Sequence, residues 1–228
     1  MNTYRGVLQI VRFNWHWYAL GAAVLWFGRS WPVMWVAGAW GVASLAVSHY
    51  VYDRSRLNRW DWLPVTPKKW ANIHCGFDET SRQLRRVFPG TTGFILDIYD
   101  PREMTEASIA RARRVYTGAP VAERARYDRL PVEDLDTVFL LFAAHELRQH
   151  SARDKFFAEV DRVLAPSGRV VLVEHLRDWP NFLAFGPGFL HFLSRREWLR
   201  LGERWNLDAE FSVTPFVRAF VFRKESTE

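Results

Sequence analysis

The sequence predicts an α/β protein: a doubly wound, mostly parallel sheet closed by an antiparallel hairpin and preceded by an apolar α-helical hairpin. Three observations carry this. From Trp70 onward, short continuously apolar runs alternate with amphipathic segments, as strands buried on both faces do between crossover helices. The last two runs, Ala209 to Thr214 and Val217 to Arg223, are separated only by Pro215 and Phe216. They must pair antiparallel, because a parallel crossover needs a much longer connection. Ahead of the sheet, two long apolar segments rich in tryptophan crowd the amino-terminal end.

The first segment runs from Val7 to Gly28 and is interrupted at its front by Arg12, Asn14 and His16; Arg29-Ser30-Trp31-Pro32 make a polar turn. The second, Pro32 to Val51, carries no formal charge over roughly twenty residues, the length of a spanning helix. Its Gly38, Ala39, Gly41, Ala43 and Ser44 let a neighbouring helix approach closely. Residues 1–60 are therefore expected to form a membrane-inserted hairpin, with the lipid bilayer as partner of residues 7–51. Arg5 and Arg12 precede it and Arg54, Arg56, Arg59, Lys68 and Lys69 follow, whereas Arg29 alone lies in the turn. That asymmetry places both ends, and the domain beyond, on the cytoplasmic side of the membrane. Trp15, Trp17, Trp31, Trp60 and Trp62 are expected as interface anchors. A hairpin entering one leaflet without crossing, or a buried soluble hairpin, fits the same residues. Asp61 to Pro67 holds two prolines and no apolar period, so residues 61–69 read as a linker.

In the domain, residues 70–228, strands are expected at Trp70 to Cys75, Gly93 to Ile98, Leu135 to Ala143 and Arg169 to Glu174, ahead of the closing pair. Helices are expected at Thr80 to Phe88, Met104 to Tyr116, Ser151 to Leu164 and Ser194 to Trp205. The single cysteine, Cys75, excludes an intramolecular disulfide and argues against a cysteine-based zinc site. A net charge of +6 suits an anionic membrane or nucleic acid. The basic residues Arg82, Arg85, Arg86, Arg102, Arg111, Arg113 and Arg114 fall on expected helices without a nucleic-acid motif, so nucleic acid is not expected as a partner. Self-association is left open.

Three stretches carry a family resemblance. Phe156 to Arg169, with Leu164-Ala165-Pro166-Ser167-Gly168-Arg169 at its end, and the strand to Glu174 resemble the helix, turn and strand of class I S-adenosylmethionine (SAM)-dependent methyltransferases, type 11 in particular. Gly168 would supply a positive φ in that turn. Phe94 to Met104 is similar to the family's second strand, whose terminal carboxylate holds the ribose hydroxyls. Tyr127-Asp128-Arg129-Leu130-Pro131 resembles the segment bordering the adenine. The resemblance implies a Rossmann-like methyltransferase sheet and SAM as cofactor. It implies Asp97 at the ribose with Ile98 and Tyr99 beside it, and Asp128, Arg129 and Leu130 near the adenine. Asp97 also reads as a strand-end turn residue, and Asp128 as a surface carboxylate. The family's glycine-rich loop is degenerate here. Asn72 to Ser81 keeps only Gly76, with His74 and Asp78 at the other glycine positions. His74, Cys75, Gly76 and Asp78 would face the methionyl part; either Asp78 caps the next helix, or Asp78 or Glu79 meets the methionyl ammonium.

Methyl transfer needs positioning and, for an acceptor that loses a proton, a base. His145 and Glu146 follow the Leu135 strand and His175 follows the Glu174 strand, at the sheet edge where open α/β folds bind ligands. His145 is the first candidate for base or acceptor orienter, and a backbone-bonded structural histidine reads equally well. No metal is expected, since these residues match no ligand spacing. Trp179 to Phe192 is aromatic and broken by Gly186-Pro187-Gly188, which suits either a mobile apolar lid or a segment packed on the core or hairpin. The function expected is methylation, at oxygen or nitrogen, of a small hydrophobic or lipid-like acceptor by a membrane-anchored enzyme. The alternative is a degenerate methyltransferase-fold accessory protein that does not bind SAM.

Overall fold

The computed structural model describes residues 4–27, 31–115 and 122–226. The expected turn at Arg29-Ser30 and the end of a helix at Tyr116 lie outside them. Helices α1 (Arg5–Phe27) and α2 (Trp31–His49) come first. Then follow β1 (Lys69–His74), α3 (Ser81–Val87), β2 (Thr92–Asp97), α4 (Ala107–Val115), β3 (Glu123–Arg124) and β4 (Leu135–Leu141). The chain continues through α5 (His150–Val163), β5 (Leu164–Glu174), α6 (Trp179–Phe185), α7 (Arg195–Leu201), β6 (Asn206–Thr214) and β7 (Val217–Arg223). The strands form one sheet in the order β3-β2-β1-β4-β5-β7-β6. Strands β1 to β5 pair in parallel, and β7 runs antiparallel to both β5 and β6. The order reverses between β1 and β4, which sets the ligand edge at their carboxyl ends.

The differences from the sequence reading are local and have identifiable causes. Strand β3 is two exposed residues with no apolar run to announce it. Helix α4 starts at Ala107, because Pro101 to Glu103 form a turn closed by Asp100, whose backbone carbonyl accepts from Met104 N. Helix α7 stops at Leu201, ahead of Gly202, well short of Trp205. In the turn after α5 it is Ser167 that takes the positive φ, at 61°. Gly168 is required for a different reason. A Cβ there would lie 2.8 Å from the Ala165 carbonyl oxygen and 2.9 Å from that of Leu135.

Parallel strands must be covered on both faces. One face packs Phe156, Phe157, Val160, Trp198 and Trp205 against Val138, Leu140, Val170 and Leu172. On the other, α3 is short, and the chain between α2 and β1 completes the cover. Val51, Leu57, Trp60, Trp62 and Val65 join Trp70, Phe139, Val171 and Val221 there. This corrects two expectations. The segment read as a linker lends Trp62 and Val65 to the core, and Trp60 and Trp62 are buried and stacked with ring centroids 5.5 Å apart, so neither is an interface anchor. Their indole nitrogens donate to Gln83 Oε1 (2.8 Å) and to the Leu57 carbonyl (3.3 Å).

No helix among the described residues is long and apolar enough to cross a membrane. The spanning hairpin is therefore not found. The apolar run of its first helix is interrupted by polar residues, and its second is built of Trp, Gly, Ala and Ser more than of Leu and Ile. A π-helical turn, Tyr50–Arg54, ends α2 and steers the chain onto the sheet. Asp53 of that turn accepts from the backbone nitrogens of Gly6 (2.7 Å) and Val7 (3.0 Å), so a carboxylate ties down the amino end of α1. Helix α2 lies on α6, where Trp40 Nε1 donates to the Leu183 carbonyl at 2.7 Å. Trp15, Trp26, Phe27, Trp31 and Trp35 are exposed.

Candidate active site

Four strand ends bring the predicted residues to one edge. At the end of β1, His74 and Cys75 are buried, and Gly76 turns the chain with φ 86°. Gly76 N donates to His74 Nδ1 at 3.0 Å, so the proton of the neutral ring sits on Nε2, which has no partner. Burial, opposed by the Asp78 and Asp97 charges, lowers the His74 pKa. Asp78 serves α3 through one oxygen, accepting from Thr80 N (3.1 Å) and Ser81 N (2.9 Å), while its buried Oδ2 has no partner. Cys75 donates to the Ala143 carbonyl at 3.2 Å, and burial pushes its thiol well above the ordinary range. It belongs to the core and presents no reactive group.

At the end of β2, Asp97 Oδ1 accepts from Tyr99 N (3.0 Å), the strand-end turn the sequence allowed. Its Oδ2 takes a charge-assisted bond from Arg113 Nη1 at 2.9 Å. The Arg113 guanidinium also lies 4.1 Å over the Tyr99 ring and covers Gly76, where a Cβ would collide with Nη1. Beside it opens a cleft of about 630 Å³ lined by Ile98 to Glu103, Ala125 to Asp128 and Lys155. Asp128 is at this cleft, paired with Arg126 at 2.8 and 2.7 Å. Arg129 and Leu130 are not. The Leu130 side chain is buried in the core, its N donates to Glu159 Oε1 at 2.7 Å, and Ala125 to Tyr127 take the lining role instead.

At the end of β4, Phe142 adopts φ 55°, an uncommon conformation for a bulky residue, and leads into a turn that presents His145 and Glu146. His145 Nδ1 lies 2.7 Å from Glu174 Oε2, and its Nε2 lies 3.4 Å from Glu146 Oε1. Burial alone would push the His145 pKa down, but the two carboxylates overcome it and raise it to about 10. The two carboxylates thus favour the imidazolium form of His145, which suits the orienting half of its expected role. Glu146 is held below the usual carboxylate range by His145 against its own burial. Glu146 Oε2 and Glu174 Oε1 are buried without partners.

His175, at the end of β5, has the opposite character. Its Nδ1 meets the Phe216 carbonyl (2.8 Å) and Asn181 Oδ1 (3.1 Å), both acceptors, so Nδ1 carries the proton. Its Nε2 lone pair therefore accepts from the Tyr52 hydroxyl at 2.7 Å. Burial, with help from the nearby His145 charge, lowers its pKa to about 4. The ring is packed among Phe142, Phe185 and Phe192, the last stacked at 4.9 Å. The segment after it breaks as expected, into α6 and a tight turn at Gly186–His191. Trp179, Leu183 and Leu190 are exposed, while α6 packs on α2.

SAM fits this edge on two counts. An open cleft adjoins Asp97, and the buried oxygens of Asp78, Glu146 and Glu174 without partners suit a ligand bringing cationic and donor groups. One group must move, the Arg113 guanidinium, which is the far end of a flexible side chain.

The family described as methyltransferase domain matches residues 73–172. The fold is the methyltransferase fold. A SAM-dependent methyltransferase of Methanosarcina mazei superposes with a TM-score of 0.51 at 17% identity, over 74% of this chain and 97% of that one. A protein of Pyrococcus horikoshii gives 0.53 at 18%, over 73% and 86%. Human N-acetylserotonin methyltransferase in complex with SAM gives 0.55 at 12%, over 94% and 67%. At such identities the likeness is one of architecture. Comparison with curated proteins gives no match.

Arg113, Tyr52, Lys155 and His191 belong to this edge and were given no site role by the sequence, while Tyr127 lay in the stretch expected at the adenine. Arg113 sat in a basic helix that read as a charged surface, and Tyr52 at the tail of an apolar segment. Both reach the site only through tertiary packing.

Proposed function

We propose that the protein is a SAM-dependent methyltransferase acting at oxygen or nitrogen of a small hydrophobic or lipid-like acceptor while its amino-terminal hairpin lies on a bilayer surface. The observation that carries this is the placement of Asp97, His145, Glu146, Glu174 and His175 at the carboxyl ends of β2, β4 and β5, with Asp78 in the loop after β1, on the edge that holds the topological switch, and a cleft that begins at Ile98 next to Asp97. When bound, SAM supplies an electrophilic methyl group that is transferred by in-line displacement.

The chain's own residues do the rest. Asp97 binds the ribose diol, and the cleft from Ile98 to Glu103 and Ala125 to Asp128 takes the adenine. Asp78 Oδ2 meets the ammonium. His175, neutral and with its lone pair at Nε2, accepts a hydrogen bond from an acceptor hydroxyl or amine that displaces the Tyr52 hydroxyl; with a pKa of about 4 it is a weak base, and it takes the proton as methyl transfer makes the acceptor's O–H or N–H strongly acidic. His145 is a fixed positive charge that orients the acceptor. Aromatic walls at Phe142, Phe185 and Phe192 exclude water and favour an apolar acceptor. The exposed tryptophans of α1 and α2 and the basic residues Arg54, Arg56 and Arg59 support attachment to the cytoplasmic leaflet.

Arg113 over Gly76 favours a second reading, an accessory protein whose cofactor space is closed by its own side chain. Isothermal titration of the full chain with SAM and S-adenosylhomocysteine, repeated on Asp97→Ala, decides between them. Binding that the variant loses supports the enzyme; absence of heat with either ligand supports the accessory protein. Flotation with anionic vesicles tests the bilayer, and a chain that stays at the bottom of the gradient rejects it.

A further inference from the structure

We infer that Arg113 recognises the α-carboxylate of the methionyl group, its guanidinium holding the ligand's place on Asp97 and over Gly76 until the cofactor arrives. The inference rests on the SAM-site reading above and assigns a residue of α4 that neither the sequence motifs nor the family match singles out.

Four observations lead to it. First, Arg113 touches both residues that the cofactor needs: Asp97 at 2.9 Å and the open face of Gly76. Second, the backbone donor at that turn is already spent, since Gly76 N bonds to His74 Nδ1 at 3.0 Å. The other two glycine positions of the loop are His74 and Asp78, whose buried side chains fill space that a glycine backbone leaves to the ligand, and the Arg113 guanidinium is the cationic donor lying over that turn. Third, the surroundings are acidic. Asp78, Glu79, Asp97, Glu146 and Glu174 gather around this edge, with His145 already held by two of them. A carboxylate entering that field requires a cation of its own. Fourth, a ribose diol that takes Asp97 strips Arg113 of its partner. Its side chain is three-quarters buried, at 25% exposure, and a guanidinium left there without an anion is unfavourable. The ligand's carboxylate, whose two oxygens match the planar fork, removes that cost.

The probes are SAM and decarboxylated SAM, which keeps the sulfonium, the ammonium and the adenosine and lacks only the carboxylate. Titrated into the full chain, SAM is expected to bind about 10–100-fold more tightly than the decarboxylated form, the range of a charge-assisted hydrogen bond. In Arg113→Met, whose aliphatic stem preserves packing, that preference collapses while decarboxylated SAM binds as well as before or better. Arg113→Lys, which keeps the charge without the fork, retains part of the preference; a thermal melt confirms that both variants fold. A preference unchanged in Arg113→Met overturns the inference, as does equal tightening of both ligands, which would make Arg113 a plug alone. If the unaltered chain binds neither probe, the SAM-site reading fails first and takes this inference with it.

Discussion

Replacing Glu174 by glutamine tests the charge state on which the acid–base assignment rests. Glu174 is fully buried, and its Oε2 is 2.7 Å from His145 Nδ1; Glu146 is the more distant partner at 3.4 Å. Burial disfavours the imidazolium, yet these carboxylates raise the His145 pKa to about 10. The folded value thus lies above the unfolded one of about 6.5. The pair's stabilisation is complete below about pH 6.5 and is lost as pH rises toward 10, by up to about 1.4 kcal/mol per pH unit. Removing one partner of a buried pair costs about 3–5 kcal/mol, so Glu174→Gln should lose that much near pH 6 and less near pH 9. His175 and His191 act in the opposite direction. Their pKa values are lowered to about 4, so stability falls as pH drops from about 6.5 toward 4 in both proteins. Urea unfolding across this range gives the curve, and histidine nitrogen shifts give the His145 titration directly. A wild-type stability that stays flat between about pH 6.5 and 10, or a His145 that titrates near 6.5, refutes the trapped charge.

The remaining expectations concern packing and the base. Trp62→Ala should lose about 3–5 kcal/mol in chemical denaturation, as a buried tryptophan does, whereas a linker residue would lose next to nothing. Gly168→Ala forces a methyl against two carbonyl oxygens and should destabilise, while Ser167→Gly relieves a left-handed serine and should gain about 1 kcal/mol; the opposite order in thermal melts would contradict this account of the turn. Tyr52→Phe deletes the 2.7 Å hydrogen bond to the buried His175 Nε2 and leaves that nitrogen without its donor, and should cost about 1–3 kcal/mol in chemical denaturation. A variant as stable as the parent would mean that Tyr52 does not occupy that lone pair.

The sheet was legible because its strands are buried on both faces and read as continuous apolar runs. Val138 to Leu141 and Val170 to Val173 are such runs, too short for helices and bounded by turn residues. Asp97, His145 and His175 were legible as strand-end polar residues, a position fixed by topology. The state of each was not, since it depends on partners distant in sequence: Glu174 lies 29 residues from His145, and Tyr52 lies 123 from His175. The amino-terminal segment misled for a related reason. Trp60 and Trp62 carry the same signature whether they meet lipid or the sheet face that α3 leaves uncovered, and only packing separates the two.

That packing ties the hairpin to the chemistry. Tyr52 stands on the π-helical turn that ends α2, and α2 also holds α6 through Trp40 and Leu183. Asp53, one residue after Tyr52, fixes the start of α1. A displacement of the hairpin relative to the sheet therefore moves the hydroxyl that covers the His175 lone pair and the helix that walls the same histidine through Phe185. Under the proposed function these are the two changes an acceptor needs, a free base and an opened aromatic wall. On that proposal the segment assigned to the bilayer would also be the one that uncovers the site. This predicts that Trp40→Ala, which loosens α2 from α6, weakens acceptor binding while leaving SAM binding intact, measured by titration of each ligand. Equal loss of both would show the hairpin to be a structural support with no separate hold on the acceptor side.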